Sequence, residues 1–185
     1  MMEKIATPIV DLYILEPKVF RDDRGYFVEL FNQQKFQDLG FTYQFVQDNQ
    51  SCSSFGVIRG LHYQLAPYAQ TKLVRAVRGR IFDVAVDLRK GSPTFGKWFG
   101  VELSEDNFRQ LLIPRGFAHG FSVLSETAIV HYKCDNLYHP QSERGIHFND
   151  PMLAIDWQIP LDKAVVSPKD KMWPNFDKAE MNFYY

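Results

Sequence analysis

The chain has 185 residues, room for one domain with a substantial hydrophobic core. Its 21 Lys and Arg stand against 22 Asp and Glu, so overall charge selects no partner and any anion site has to come from local arrangement. No apolar run approaches a membrane span, the opening MMEKIATPIVDLYILEPKVF does not fit a secretory signal, and two cysteines (Cys52 and Cys134) read as reduced thiols in a cytoplasmic protein.

In chain order, the first regular element is a short helix in NQQKFQDLG at 32–40, with an Asn cap and a closing Gly. RGLHYQ at 59–64 reads as a strand carrying more polar chemistry than a core strand needs. Strict alternation places Gly60, His62 and Gln64 on one face and Arg59, Leu61 and Tyr63 on the other. Arg59 and His62 then share a site only if the strand bends, and Gly60 is the residue that permits a bulge. KLVRAVRG at 72–79 is the next strand, followed by IFDVAVDL at 81–88, where Phe82, Val84, Val86 and Leu88 oppose Asp83, Ala85 and Asp87. FGVEL at 99–103, QLLIP at 110–114 and AIVHYKC at 128–134 are further strands, with a single helical turn expected in SEDNFRQ at 104–110. Many short strands separated by turn chemistry predict an all-β sandwich or barrel, and the absence of repeats, linkers and low-complexity segments predicts one domain over 1–185.

The histidines pose a metal question. Cupin jelly rolls that bind metal commonly use a His-x-His pair, a Glu a few residues on, and a further His after a Pro-x-Gly turn. PRGFAHGF supplies the last part as Pro114, Gly116 and His119. The first part is degraded: Gln64 stands where a second His is needed after His62, and Tyr68 or Ala69 occupies the Glu position. Two imidazoles without a carboxylate make a poor site for a divalent ion, so no metal and no cofactor is expected. His131, His139 and His147 read as ordinary surface or core residues; His62 stands out because burying it beside Arg59 and Gln64 without partners would be costly.

The segments DDRGYFVELFN, FVQDNQS, IRGLHYQ, TKLVRAVRGRIFDVAVDLRKGSPTFGKW, LLIPRGFAHGF, VHYKC, SERGIHFNDP, IDW and SPKDK recur in order and spacing nearly end to end. In them the chain resembles the dTDP-4-dehydrorhamnose 3,5-epimerase family of metal-free cupins. That resemblance implies a cupin-type jelly roll acting on a dTDP-4-keto sugar at carbons 3 and 5. It implies His62 as general base, Asp170 as its carboxylate partner, Tyr132 as the acid on the opposite side, and Lys72 with Asp83 facing the ketone. Arg24, Glu29, Gln47, Asn49, Arg59, His119, Glu143 and Lys169 would hold the nucleotide, phosphates and sugar, and Tyr138 would stack on thymine. A homodimer is implied too, with the N-terminal region completing the partner's site, and no nucleic acid or membrane is involved. The tail NFDKAEMNFYY has no clear family pattern.

The chemistry fits the residue set. Carbons 3 and 5 of a 4-keto sugar both flank the carbonyl, so their protons are the acidic ones. Inversion takes a proton from one face and returns one to the other, which requires a base and an acid on opposite walls. The enolate formed between these steps needs a preplaced positive donor. Two other readings stay open at this point: an epimerase acting at one carbon of a related sugar, and a non-catalytic sugar-nucleotide binder. A metal-dependent cupin oxygenase is opposed by the missing ligands.

Overall fold

The short apolar runs become strands in the computed structural model, which describes residues 2–185. In chain order these are β1 (Met2–Ala6), β2 (Tyr13–Pro17), β3 (Val19–Asp22), β4 (Gly25–Val28), helix α1 (Gln33–Asp38), β5 (Gln47–Ser54), β6 (Val57–Gln64), β7 (Lys72–Arg78), β8 (Arg80–Asp87), β9 (Trp98–Ser104), β10 (Gln110–Ile113), β11 (Phe117–Val123), β12 (Thr127–Cys134), β13 (Glu143–Gly145) and β14 (Val165–Val166). One sheet runs β1-β2-β10-β7-β12-β5 and the other β13-β6-β11-β8-β9, with β14 parallel beside β6. From β5 to β12 the chain crosses repeatedly between the two sheets, as a cupin-type jelly roll requires.

Side-chain alternation explains why the sheets close on one another. Val74, Ala76, Leu111, Ile113, Ala128 and Val130 of the first sheet meet Ile81, Ala85, Val101, Leu103, Phe117 and Phe121 of the second. Leu103, Leu111 and Val130 are fully buried there, each contributing about 1.5–3 kcal/mol of hydrophobic stabilisation. The alternation expected for residues 81–88 holds, but both faces are buried. Val84, Val86 and Leu88 point outward under a cover of Ile146, Leu153, Trp157 and Phe183, so the acidic face of β8 is the inward one.

The helix forms where expected. Asn32 Oδ1 accepts from the backbone of Gln34 and Lys35, Gly40 closes the element at φ +88°, and Phe36 anchors it to the outer side of the first sheet. The stretch 104–110 makes the single turn expected after Ser104, closed by the Phe108 amide donating to the Ser104 carbonyl at 3.2 Å. Ser104 and Asn107 each accept the other's backbone amide at 3.1 Å, and Phe108 turns to φ +56°. The polypeptide therefore makes one hydrogen-bonded turn and enters β10 at Gln110, with no length left for a helix. Two hairpins, β1–β2 and β3–β4, form in the first 28 residues, where sequence patterning predicted no element.

The bulge predicted at Gly60 is present and shapes the interior. His119 faces His62 across β11 and β6, but Phe121 faces Arg59, so two steps on β11 span three on β6. Gly60 takes φ +121°, and a Cβ there would lie 2.6 Å from Gly120 Cα and 2.7 Å from the His119 carbonyl oxygen. Only glycine fits this turn of the strand.

Candidate active site

The inward face of the first sheet presents Gln47 and Asn49 from β5, Lys72 from β7 and Tyr132 from β12; the register pairs Tyr132 with Asn49 and with Val74. The second sheet supplies Arg59 and His62 from β6 and His119 from β11. Between them lie two adjoining cavities, of about 200 Å³ and about 190 Å³, and His62, Lys72 and Tyr132 line both. The first extends toward Gln47, Asn49, Gln70, Tyr138 and Glu143, and the second toward Gln50, Ser51, Arg59, His119 and Phe121. The bulge thus brings Arg59 and His62 to one wall, while Leu61 and Tyr63 turn outward into the second apolar cluster.

His62 Nε2 stands 2.6 Å from Asp170 Oδ1. Asp170 is delivered by a 3-10 turn, Asp170–Met172, whose first amide is bonded by Ser167 Oγ. Its carboxylate also accepts from Trp173 Nε1 and from the Gly60 amide, each at 3.3 Å. Burial pushes the Asp170 carboxyl upward, but the bonds from His62, Gly60 and Trp173 outweigh it and hold the group below its ordinary range. An ionised carboxylate only accepts, so the proton belongs on Nε2 and the lone pair on Nδ1.

Across the cavity, burial raises the Tyr132 phenol above its usual range and keeps it protonated at neutral pH. Burial also lowers Lys72, whose amine stands 5.9 Å from the Tyr132 ring and has no hydrogen-bond partner among the described residues. Asp83 lies one layer deeper. Its Oδ1 is 2.8 Å from His119 Nε2, and its Oδ2 is buried without a partner among the described residues. Burial lowers the pKa of His119 in turn. Asp83 is therefore directly bonded to His119 rather than to Lys72.

Tyr138 stands half-exposed over the first cavity, its hydroxyl donating to Glu143 Oε2 at 2.6 Å, and Lys169 Nζ reaches the same oxygen at 2.6 Å. Arg24 and Glu29 lie apart from these residues. Arg24 sits in the β3–β4 turn with 90% of its side chain exposed, paired among the described residues with Asp22, and Glu29 is bonded to Asn32 and Lys35. Neither lines the cavity of its own chain. Sequence reading missed Trp173 and Gln70 altogether. Trp173 sits three residues after Asp170 in irregular backbone, where no periodicity marks it. The position of the missing second histidine is otherwise engaged, with the Gln64 amide turned to the loops at 68 and 137–139, and the histidine that is present, His119, is bonded to Asp83.

An imidazole backed by a carboxylate, facing a phenol across one polar cavity, can move protons on opposite faces of a bound molecule. On a cupin-type jelly roll that arrangement describes an epimerase.

Similarity to known proteins narrows the class. Residues 6–178 match the family described as dTDP-4-dehydrorhamnose 3,5-epimerase, and the chain belongs to that family. It is an isomerase of dTDP-rhamnose biosynthesis that inverts carbons 3 and 5 of dTDP-4-dehydro-6-deoxy-D-glucose. It is 57% identical over 180 residues to the dTDP-4-dehydrorhamnose 3,5-epimerase of Shigella flexneri, covering 97% of this chain and 98% of the relative. The crystal structure of the enzyme from Elizabethkingia anophelis superposes with a TM-score of 0.93 at 55% identity, over 97% of this chain and 99% of the other. That of the epimerase from Legionella pneumophila Philadelphia 1, in complex with dTDP-4-keto-L-rhamnose, gives 0.95 at 49% identity over the whole of both chains.

Proposed function

We propose that His62 is the base that removes the protons at carbons 3 and 5 and that Tyr132 is the acid that returns them from the opposite wall. The observation that carries this reading is their placement on facing sheets around shared cavities. Asp170 fixes the His62 ring and leaves Nδ1 free to accept. Lys72 donates to the oxygen of the enolate. A buried ammonium that surrenders its proton more readily than usual is well matched to an oxyanion that needs it for one step only. Asp83, through His119, supplies the negative charge that balances Lys72 beside the ketone.

Gln47, Asn49, Glu143 and Tyr138 take the part of the nucleotide sugar in the first cavity, with Tyr138 stacking on thymine. Arg59, His119 and Lys169 contribute to the phosphates and sugar, a planar guanidinium pairing well with phosphate oxygens. Arg24 and Glu29 serve the site of a second copy in a homodimer, which accounts for their distance from the cavity of their own chain. The whole chain acts as one cytoplasmic domain.

Tyr132→Phe tests the assignment. His62 can still abstract a proton, exchange it with solvent and return it to the same face. Incubation with the keto sugar in heavy water should give deuterium at the exchangeable carbons with little inverted product, read by NMR. Inversion persisting at both carbons would remove Tyr132 from the acid role.

A further inference from the structure

Gln64 occupies the position where a metal-binding cupin would carry its second histidine, and the reaction gives it no proton to move. The residue is nevertheless only 5% exposed, and every hydrogen bond its side chain makes goes to backbone. Nε2 donates to the Tyr68 carbonyl at 2.6 Å and to the Leu137 carbonyl at 3.3 Å, and Oε1 accepts the His139 amide at 2.8 Å. Leu137 and His139 flank Tyr138. One buried amide therefore grips the backbone on both sides of the ring that stands over the first cavity.

Other contacts converge on the same two loops. The rings of Tyr68 and His139 stack with centroids 3.7 Å apart and parallel planes. Gln70 Nε2 donates to the Asn136 carbonyl at 2.8 Å, and the Tyr138 amide itself donates to Gln47 Oε1 at 2.9 Å. Across the β6–β13 register Gln64 faces Glu143, which accepts the Tyr138 hydroxyl. Without Gln64 the 137–139 segment would keep only exposed or peripheral ties, while three backbone groups behind it would lose their buried partner.

We propose that Gln64 is a positioning residue for nucleotide recognition: it locks the Tyr138 backbone so that the ring is held ready to stack on the base before substrate arrives. A ring fixed in advance loses less conformational freedom on binding. The proposal rests on the stacking role given to Tyr138 above. It separates two jobs on one strand, with His62 acting on the sugar and Gln64 two residues later acting on the nucleotide through the loops.

The test compares Gln64→Met, which keeps length and bulk but removes all three bonds, with Tyr138→Ala and the double variant. Affinity for dTDP is measured by calorimetry, and turnover of the keto sugar at saturation by NMR. Gln64→Met should weaken dTDP binding roughly tenfold, equivalent to about 1.4 kcal/mol, with saturating turnover within about twofold of the parent. In the Tyr138→Ala background the same substitution should cost almost nothing more, because its effect runs through the ring. Unchanged dTDP affinity in Gln64→Met, or an equal loss with and without Tyr138, would overturn the proposal, as would a fall in turnover at unchanged affinity. Should Gln64→Met not yield folded protein, Gln64→Glu keeps the acceptor for His139 and loses both donors, and is judged by the same cycle. A Tyr138→Ala variant that binds dTDP as the parent does would overturn the stacking role itself; a clear Tyr138 effect with no Gln64 effect overturns this inference alone.

Discussion

Replacing Asp170 by Asn removes one charge and almost no volume, and the local hydrogen bonds dictate the consequence. The carboxylate accepts three donors: Nε2 of His62 and Nε1 of Trp173 at Oδ1, and the Gly60 amide at Oδ2. An amide cannot accept on both sides. With its oxygen toward His62, its NH₂ meets the Gly60 N–H, donor against donor. Flipped, its NH₂ opposes the Trp173 N–H and forces the His62 proton onto Nδ1, which then cannot accept from substrate. Either orientation forfeits a charge-assisted bond to the ring, worth about 1.5–3 kcal/mol, and the rate of proton abstraction should fall by about one to two powers of ten. Positional deuterium wash-in measures this directly at carbons 3 and 5, and dTDP calorimetry should show affinity little changed. Wash-in at the parent rate would refute the reasoning, since it would mean that neither the charge nor the tautomer of the pair matters.

Three further outcomes are expected. If Arg24 serves the second copy, Arg24→Ala and His62→Asn should each be nearly inactive alone, and mixing them under subunit exchange should restore activity through hybrid dimers that carry one complete site; a mixture as inactive as its components would place Arg24 outside the partner's site. Burial raises the Asp87 carboxyl, but bonds from Arg89, Ser92 and Thr94 outweigh it and hold its folded pKa down. Its contribution is therefore present above the unfolded carboxylate range and lost as pH falls through the folded pKa. Asp87→Ala should cost about 3 kcal/mol by urea unfolding at neutral pH, and distinctly less once the pH has fallen below the folded pKa. Gly60→Ala forces a Cβ against Gly120 and the His119 carbonyl at positive φ and should cost about 3 kcal/mol or more, seen as a lowered unfolding midpoint.

Legibility in the sequence tracked burial. Strands with one apolar, buried face could be read from alternation: in residues 81–88 Val84, Val86 and Leu88 meet the outer cover, and in 128–134 Ala128 and Val130 meet the core between the sheets. QDNQSCSS at 47–54 could not. Its inward positions Gln47, Asn49 and Ser51 line the cavities, and Asp48, Cys52 and Ser54 meet solvent, so a strand that builds the site carries no apolar stripe at all. The β3–β4 hairpin escaped for a related reason, since Phe20, Tyr26 and Phe27 remain largely exposed in the single chain. Gly60 was legible because the conflict between Arg59 and His62 demanded a bend. The proposed site residues could be named chiefly through resemblance to a family, because the side chains they meet lie far away in sequence: Asp170 meets a histidine 108 residues earlier.

Two histidines in this site carry a carboxylate on Nε2, and no local pattern tells which is the better base. Their surroundings do. The His62 side chain is 31% exposed toward the cavity, whereas that of His119 is 7% exposed and pressed against β8. Desolvation lowers the pKa of His119 despite Asp83, so a proton added there has to be held without water. His62 faces open space where a sugar carbon can approach, and its carboxylate accepts two further bonds that keep it ionised while the ring is charged. A base that gains a proton at one step and loses it to solvent at another needs both the opening and the steady counter-charge. His62 combines them, which favours it as the base and leaves His119 better suited to holding the substrate in place.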